Sequence, residues 1–261
     1  MLKTSPLNTP WIAYSQVNPQ AKLRLFCFSY AGGSALVFRD WQESLPNDIQ
    51  VCPIELPGRG SRLLEKPFEN TQSLVEELMT AIAPLLDLPF AFFGHSLGAL
   101  IGFELTRYLD REYGKVPVHL LVSGRQAPPI HDLSPMHALS EANLIAELRR
   151  LDGTPKAVLE SAEMLQLLLP MVRADLKIDE TYNYLNSEPL TCPIAVFGGL
   201  ADPETKLEDL EAWRKQTKGE FSLQMFPGNH FFINTAKDLL LERISQILSI
   251  YLSLDRVGHV Y

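Results

Sequence analysis

The chain has 261 residues, of which 46% are hydrophobic and 21% are charged, and its formal net charge is −8. This length and composition suit one large globular domain with a sizeable core, and they exclude a disordered chain. The acidic balance, without a cluster of Lys and Arg, argues against nucleic acid as a partner. Residues 1–16 lack the apolar core of a signal peptide, and no apolar run reaches the roughly 18 residues of a membrane span, so we expect a cytoplasmic protein with no membrane partner.

The three cysteines are an odd number and lie in apolar, strand-like segments: Cys27, Cys52 and Cys192. This pattern favours reduced, buried thiols over a disulfide framework. We therefore expect a reducing compartment and a fold that needs neither disulfides nor a metal.

Six short apolar runs alternate with helix-like patterns, which is typical of an α/β fold with a mostly parallel sheet covered by helices on both faces. They predict strands at residues 23–28, 49–54, 89–93, 118–122, 194–197 and 221–226. Between the second and third runs, apolar residues recur at helical spacing after a capping box formed by Ser73 and Glu76. Further helices are expected after Gly98, before Gly219 and over residues 238–252.

One long segment breaks this alternation. About 70 residues separate the strand that ends at Ser123 from the strand that begins near Cys192. A loop in an α/β unit usually has roughly two to six residues. We therefore predict one domain over residues 1–261 with an insertion at about 126–188.

The insertion is predicted to be helical. Helical patterns occupy residues 141–151 and 161–182, and the second is interrupted at Pro170. Long insertions in compact domains often cover a site, so the functional interpretation is a lid over a pocket, bounded by the leucine-rich residues 165–169. An additional structural layer of helices is the alternative.

The segment Gly94–Gly98 reads GHSLG and lies between a predicted strand and a predicted helix. That placement is what a nucleophile elbow requires, because the serine of such an elbow sits on a sharp turn with its hydroxyl exposed above the sheet. Glycines two positions to either side let the strand and the helix approach without Cβ clashes. We therefore predict that Ser96 is a nucleophile.

A nucleophilic serine needs a base within hydrogen-bond reach and an acid that orients the base, and in this fold the chain order is serine, acid, histidine. Among the six histidines, only His230 lies in a loop between the last strand and the last helix, so it is predicted as the general base. A solvated or helix-capping histidine is the alternative. The others lie in the elbow, in a strand, in the insertion or in the polar tail: His95, His119, His131, His137 and His259.

The orienting acid is expected on the loop after the strand at 194–197. Asp202 lies nearest the carboxyl end of that strand, where sites in α/β sheets assemble, so we predict that it is the acid. As the residue before Pro203, it would alternatively cap the following helix. The other carboxylates of this segment are Glu204, Glu208 and Asp209.

Two backbone amides are expected to stabilise the oxyanion of a tetrahedral intermediate. One belongs to the residue after the nucleophile, Leu97. The other is expected from the glycine-rich loop SYAGGSA, where Ala31 is the first choice and Tyr30 and Gly32 are alternatives. A glycine-rich turn without a catalytic role is the simpler interpretation, and AGGSA matches neither a P-loop nor a full GxGxxG motif.

Several motifs together resemble those of the type II thioesterases, which are discrete proofreading hydrolases that accompany nonribosomal peptide and polyketide synthases. The resemblance extends from about Leu23 to Leu252 and includes the insertion. The motifs are FSYAGGSA, PGRGSR at 57–62, GHSLGA, LDGTP at 151–155, LLPMVRADLKIDETY and PGNHFF.

The resemblance implies an α/β-hydrolase fold and a catalytic triad of Ser96, Asp202 and His230. It also implies that the oxyanion amides are those of Ala31 and Leu97. The implied reaction is the hydrolysis of acyl thioesters on the phosphopantetheine arm of carrier proteins, which removes aberrant or stalled acyl groups from a synthase. No cofactor or metal is implied, the partners are acyl or peptidyl carrier protein domains, and we expect a monomer.

The sequence departs from the family pattern at two positions. Ser29 replaces a common proline, and Asp152 replaces a common glycine, which leaves the conformation of the LDGTP loop open. Arg59 and Arg62 of PGRGSR would contact a phosphate or bind their own loop, and we do not assign them to the site. Alternative functions are a chain-releasing thioesterase of fatty-acid or polyketide synthesis, a general acyl-CoA or ester hydrolase, and a non-catalytic protein of the same fold.

Overall fold

The computed structural model describes residues 9–14, 17–130 and 135–254. Within them, six strands form one sheet: β1 (Leu23–Phe28), β2 (Ile49–Pro53), β3 (Phe90–His95), β4 (His119–Ser123), β5 (Ile194–Gly199) and β6 (Phe221–Phe226). The strand order is β2-β1-β3-β4-β5-β6, and every neighbouring pair is parallel. The prediction of an α/β fold with a parallel sheet is confirmed, and the strand ends differ from the predicted ones by two residues or fewer.

Helices connect the strands and cover both faces of the sheet. In chain order they are α1 (Trp41–Ser44), α2 (Thr71–Ile82), α3 (Leu97–Tyr113), α4 (Glu141–Leu151), α5 (Lys156–Leu159), α6 (Ala162–Glu180), α7 (Leu207–Glu211), α8 (Phe232–Thr235) and α9 (Lys237–Leu254). Shorter 3₁₀ turns lie at Ala35–Phe38, Gly60–Arg62, Ala83–Leu85 and Ala212–Gln216. None of the helices in the described part of the chain has the length and apolarity needed to cross a membrane.

Strands β1–β5 are buried at every residue, whereas the edge strand β6 is mostly half-buried. Successive side chains of a strand point to opposite sides, so both faces of the sheet are covered along β1–β5. All six residues of β1 are buried. Phe26 and Phe28 join the core formed with α2 and α3, whereas Leu25 and Cys27 join the core formed with α1 and α9. The nearly continuous apolar sequence of this strand follows from that double burial.

The three cysteines form no disulfide and are buried in these cores: Cys27, Cys52 and Cys192. Burial raises the pKa of the Cys192 thiol to about 12. Burial likewise raises the pKa of Cys27, with a smaller contribution from Cys52. They pack as small apolar side chains rather than as reactive thiols.

The predicted capping box of α2 is wrong. The helix begins at Thr71 after Asn70, whose Oδ1 accepts a hydrogen bond from the Ser73 amide at 2.9 Å. The Ser73 hydroxyl also donates to Asn70 Oδ1, so Ser73 lies inside the first turn. Asn is as good an N-cap as Ser, and Asn70 has the extended backbone that a capping residue needs.

The predicted interruption at Pro170 is also wrong, since α6 continues through this residue. A proline inside a helix removes one hydrogen bond and costs about 3 kcal/mol. Leu169 and Met171 on either side of Pro170 are both buried in the core of the insertion. That burial offsets the cost of the missing bond, so the helix extends over 19 residues.

The insertion between β4 and β5 contains α4, α5 and α6, which share a core of their own. That core consists of Leu144, Leu148, Leu159, Leu165, Leu169, Met171 and Val172. Helix α6 also contributes Ile178 to the core between the sheet and α3. The insertion therefore packs on the body of the protein through α6.

The strand order places two loops side by side. The chain leaves β1 toward β2 on one side and reaches β3 on the other, so the order reverses at β1 and β3. In open α/β sheets, binding sites form at such a switch point beyond the carboxyl ends of the strands. Phe28 and Gly94 are register partners there, which brings the loop after β1 beside the GHSLG turn.

Candidate active site

Ser96 lies at the sharp turn between β3 and α3, as predicted. Its backbone has φ 55° and ψ −117°, a conformation that residues other than glycine rarely adopt. The Ser96 amide donates to the carbonyl of Ser123 at 2.8 Å, which ties the turn to the end of β4. Backbone strain of this kind persists where the surrounding structure holds it, and it is concentrated at functional sites.

The two glycines of GHSLG are required because neighbouring backbone atoms lie too close to leave room for a side chain. A Cβ on Gly94 would lie 2.1 Å from the carbonyl oxygen of Gly98. A Cβ on Gly98 would lie 2.1 Å from the carbonyl oxygen of Phe28, the last residue of β1. The turn can therefore pack against β1 only because both positions lack a side chain.

Ser96 lines a cavity of about 410 Å³. Such a volume is typical of small-molecule sites, which range from about 300 to 1,000 Å³. The apolar wall from α6 consists of Leu168, Val172 and Leu176. Of the predicted residues 165–169, Leu168 lines the cavity, whereas Leu165 and Leu169 belong to the core of the insertion. The wall also extends beyond the predicted range, to Val172 and Leu176. An ion pair between Arg125 and Asp179 contributes a polar part of the wall.

His230 and Asp202 meet in this region from two different loops. His230 lines the cavity on the loop after β6, and Asp202 lies on the loop after β5. The two side chains are hydrogen-bonded, with 2.8 Å between His230 Nδ1 and Asp202 Oδ2. The structure therefore brings together the histidine and the acid that the sequence singled out.

The Asp202 carboxylate is fully shielded from solvent and accepts several hydrogen bonds. Its partners besides His230 are the Glu204 amide at 2.8 Å and the Thr205 hydroxyl at 2.7 Å. Burial alone would raise the pKa of Asp202, but the bonds from His230, Thr205 and the Glu204 amide outweigh it and leave this pKa below its usual value. The carboxylate is thus held in its charged form beside the histidine.

The alternative acids have other roles. Glu204 forms an ion pair with Arg150 of α4, with 3.0 Å between Glu204 Oε1 and Arg150 Nη1. Glu208 and Asp209 lie in the first turn of α7. The Asp209 carbonyl accepts a hydrogen bond from the Ala127 amide, which ties α7 to the start of the insertion.

Of the other histidines, His95 lies next to the site in a way that the sequence did not reveal. Its ring is fully buried, 5.1 Å from the ring of His230 between centroids. His95 Nδ1 is 2.8 Å from the Ser123 hydroxyl. Burial, reinforced by the neighbouring His230, lowers the pKa of His95 well below its usual value, so this ring stays neutral.

The remaining histidines lie elsewhere. His119 pairs with the Tyr251 hydroxyl at 3.1 Å at the opposite end of the sheet. His137 contacts the carboxylate of Glu180 in the insertion. His131 and His259 lie outside the described residues.

The loop after β1 borders the cavity with Tyr30, Ala31, Gly32 and Gly33. The amide of Gly32 already donates to Asp175 Oδ2 of α6 at 2.8 Å. That engagement removes Gly32 from the three candidate oxyanion donors and favours Ala31 or Tyr30. Leu97 is the first residue of α3, where backbone amides have no acceptor within the helix.

Arg59 and Arg62 do not present their guanidinium groups to solvent. Arg59 is 4% exposed and is bound to Asp175. Arg62 is 7% exposed, pairs with Glu65 and stacks over Trp11 with its central carbon 4.1 Å from the ring centroid. Both guanidinium groups are therefore bound to protein groups and are not available to a phosphate.

The LDGTP loop packs against the loop that carries His230. Asp152 has φ 57°, so it takes the left-handed conformation that a glycine would supply there. A Cβ on Gly153 would lie 1.9 Å from the ring of Phe231, the residue after His230. The insertion thus supports the histidine loop through a glycine contact.

Comparisons with known proteins agree with this fold. A family model described as a thioesterase domain matches residues 23–248. Gramicidin S biosynthesis protein GrsT from Aneurinibacillus migulanus is 48% identical over 93% of this chain and 95% of its own length. Linear gramicidin dehydrogenase LgrE from Brevibacillus parabrevis is 43% identical over 97% of each chain. The solved structure of the type II thioesterase BorB from the borrelidin biosynthetic cluster has a TM-score of 0.83 and 36% identity, and the match covers 90% of this chain and 96% of that one.

The parallel sheet with its strained serine turn defines a protein of the α/β-hydrolase class, a fold shared by its structural neighbours. The chain belongs to the thioesterase family, and within it to the type II thioesterases. The family resemblance inferred from the motifs is therefore confirmed. Membership in this family makes the protein a hydrolase.

Proposed function

We propose that this protein is a serine-dependent editing thioesterase that hydrolyses acyl groups from the phosphopantetheine arm of carrier protein domains in a nonribosomal peptide or polyketide synthase. One observation carries the proposal. Ser96, in its strained turn, and His230, held by Asp202, line or border the same cavity in a chain of the thioesterase family. The relationship to GrsT and BorB supports a biosynthetic context.

The proposed reaction has two halves. In the first, the Ser96 hydroxyl attacks the thioester carbonyl while His230 Nε2 takes its proton, and collapse of the tetrahedral intermediate expels the carrier thiolate, which receives that proton from His230 and leaves as the thiol. In the second, His230 takes a proton from water, the resulting hydroxide attacks the acyl-serine, and the carboxylic acid leaves as Ser96 recovers its proton.

Asp202 and two amides are assigned supporting roles. Asp202 accepts a hydrogen bond from the Nδ1–H group of His230, which leaves Nε2 as the proton acceptor for the serine, and its negative charge stabilises the imidazolium that forms. The amides of Ala31 and Leu97 are proposed to stabilise the oxyanion in both halves of the reaction. No cofactor or metal enters this scheme, because the carrier brings the phosphopantetheine.

We also propose that residues 126–188 form a lid on a single domain that spans residues 1–261. The support is that α6 and the LDGTP loop contribute walls of the cavity that Ser96 lines. The cavity of about 410 Å³ would then limit the acyl group that fits. We expect the enzyme to act as a cytoplasmic monomer, and its buried cysteines, which form no disulfide, fit a reducing compartment.

The name of LgrE raises an oxidoreductase as a second candidate. A dinucleotide-binding protein of this sheet type is expected to carry GxGxxG after its first strand. The loop here reads AGGSA, and its Gly32 amide is bound to Asp175 rather than open to a phosphate. Hydrolysis therefore agrees better with the site.

A fluorophosphonate probe tests the nucleophile. Intact mass should show one adduct on the wild-type protein and none on Ser96→Ala, which should keep the wild-type melting temperature and lose turnover of an acyl-pantetheine thioester. A Ser96→Ala enzyme as fast as wild type would refute the assignment.

Paired substrates test the partner. With one acyl group on a carrier protein and on coenzyme A, kcat/KM should favour the carrier by at least about tenfold, because docking contacts orient the thioester. With a carrier of net negative charge the preference should survive added salt, because screening relieves its repulsion from this protein, whose formal net charge is −8. Equal or faster turnover of the coenzyme A ester would instead indicate a general acyl-CoA hydrolase.

A further inference from the structure

A buried ion pair lies directly behind the loop that carries Ala31. Arg59, from the loop after β2, binds both carboxylate oxygens of Asp175, from α6, at 2.7 Å each. Arg59 is 4% exposed and Asp175 is 1% exposed. The pair therefore joins the insertion to the body of the protein in a fully desolvated position.

Both members of the pair also bind the backbone of the glycine-rich loop, which we call the oxyanion loop (residues 29–35). Asp175 Oδ2 accepts the Gly32 amide at 2.8 Å, and Arg59 Nη1 donates to the Gly33 carbonyl at 3.0 Å. These are the two residues that follow Ala31. The peptide groups next to the proposed oxyanion donor are thus held by one carboxylate and one guanidinium.

Two further contacts restrict the same loop. Gly32 has φ 78°, and a Cβ there would lie 3.1 Å from Val172 Cγ2 of α6. The Ala35 amide donates to the buried carboxylate of Glu55 at 3.2 Å. The loop is therefore clamped between α6 and the segment that follows β2.

The stability of the fold does not by itself account for a buried pair of this kind. Two buried charges lose their hydration, and a well-packed apolar pair of similar volume is often as stable. A bidentate arginine–carboxylate pair does, however, impose a fixed geometry on the groups around it. The orientation of backbone donors around a developing oxyanion is a property that such a geometry controls.

We propose that Arg59 and Asp175 are positioning residues. They make the placement of the Ala31 amide depend on the packing of α6 against the body of the protein. This inference rests on the proposed hydrolase function. If α6 moves away from the body, Gly32 loses its acceptor and the oxyanion loop loses one wall. Rapid hydrolysis then requires that the insertion is packed against the body of the protein. Closure of the insertion over a bound acyl group is thereby coupled to stabilisation of the oxyanion.

The main test variant is the double substitution Arg59→Met with Asp175→Leu. It replaces the ion pair by apolar groups and removes both side-chain bonds to the oxyanion loop without leaving either member of the pair as a lone buried charge. The buried carboxylate of Glu55 keeps Arg62 as a neighbouring positive charge and the Ala35 amide as a donor. Asp175→Asn is the second variant, because asparagine can still accept the Gly32 amide but no longer neutralises Arg59.

The matched control is Glu69→Gln with Lys177→Met. Lys177 lies two residues after Asp175 on the same helix and also ties α6 to the body, through a bond of 2.7 Å to Glu69. That pair is exposed and contacts no residue of the oxyanion loop. The control therefore removes a link between α6 and the body but leaves the loop clamped.

The measurements are kcat and KM on a small acyl-pantetheine thioester, the melting temperature, and the affinities of two inhibitors. A trifluoromethyl ketone forms an oxyanion on Ser96, whereas the matching thioether only occupies the cavity. In the double variant we expect kcat to fall by about tenfold to a hundredfold, with KM changed by less than about threefold, because small misplacements of catalytic groups have effects of this size. The affinity for the ketone should fall with kcat, and that for the thioether should not.

A folded double variant with wild-type kcat and ketone affinity would overturn the proposal, as would a control that loses as much activity as the double variant. If the double variant does not fold, Asp175→Asn decides, because asparagine has one acceptor oxygen where the two oxygens of Asp175 bind Arg59 and the Gly32 amide: kcat and the ketone affinity should fall together, and wild-type values of both would overturn the proposal. A wild-type protein that neither turns over thioesters nor reacts with a fluorophosphonate overturns the proposed function instead, and the inference with it.

Discussion

Ser96 shows how one residue is held in a costly conformation by its neighbours. Its side chain forms no capping hydrogen bond with α3. The positive φ is held instead by the hydrogen bond from the Ser96 amide to the Ser123 carbonyl and by the close contact of Gly98 with Phe28. The strain keeps the serine at the tip of the turn, on the cavity wall. The glycines are therefore as necessary to the site as the hydroxyl.

A substitution at Gly98 tests that requirement. Gly98→Ala would place a Cβ 2.1 Å from the Phe28 carbonyl oxygen, so we expect a loss of about 1–3 kcal/mol or more in the free energy of unfolding, together with most of the activity. Gly102→Ala is the control on the same helix, because its nearest neighbour would be 3.5 Å away. It should be neutral or more stable by about 0.5–1 kcal/mol, since alanine favours helices. Urea denaturation of both variants distinguishes these outcomes.

Asp202 can be tested at the same scale. In Asp202→Asn the amide group would face His230 Nδ1 as a donor and favour the tautomer with its proton on Nε2, so kcat should fall by roughly ten-thousand-fold. Glu204→Gln should stay close to wild type, because Glu204 is bound to Arg150 rather than to the histidine. Steady-state kinetics on both variants is the measurement. If Glu204→Gln were the inactive variant, the assignment of Asp202 as the acid would be wrong.

At the scale of elements, α6 contacts both the cavity and the oxyanion loop. Residues 168, 172 and 176 border the cavity, and Asp175 on a neighbouring side of the helix reaches the oxyanion loop. The helix continues through Pro170 because burial on both sides of that residue maintains it. One continuous helix can thereby limit the acyl group and hold the loop beside the serine.

Tryptophan substitutions along α6 test its role as a cavity wall. Leu168→Trp and Leu176→Trp should lower kcat/KM for long acyl chains by at least about tenfold and spare short ones, because one or two methylene groups of lost space have effects of this size. Labelling of Ser96 by a small fluorophosphonate should be unchanged. Leu167→Trp is the control, since Leu167 is 61% exposed and is not part of the wall. An unaltered chain-length profile in the two wall variants would contradict the assignment.

At the scale of the whole molecule, the two ends of the sheet differ in what their histidines do. His230 and His95 lie at the carboxyl end beside the cavity. His119 begins β4 at the other end, 8% exposed, and burial together with Arg243 lowers its pKa to about 4. The histidine at this end is therefore linked to stability rather than to chemistry.

The pH dependence of folding should reveal His119. As pH falls below about 6.5, its pKa in an unfolded chain, the unfolded state binds a proton that the folded state does not, so stability is lost. Between pH 8 and pH 5 this group alone should account for roughly 2 kcal/mol. In His119→Gln the loss over that range should be smaller by this amount, as measured by urea denaturation at both pH values. An identical pH profile in the variant would show that His119 is not the responsible group.

Local patterns in the sequence were sufficient for the architecture. The short apolar runs predicted β1–β6 with errors of two residues or fewer, because this signal depends on neighbours along the chain. The cap of α2 was missed because Asn70 and Ser73 offer competing caps within one turn, and only Asn70 has the required backbone. The order of serine, acid and histidine predicted the pairing of His230 with Asp202 across 28 residues.

The tertiary structure alone decided which residues support that site. Arg59 and Asp175 are 116 residues apart, and no local period relates them. Their contact follows from the way α6 lies across the loop after β1, which depends on packing between the insertion and the body. Signals between neighbours along the chain are local, so the sequence by itself determined the strands, the serine turn and the histidine loop. The cavity wall, the buried ion pair and the position of His95 beside His230 depend on side chains that are distant in the chain, so only the tertiary structure decided them.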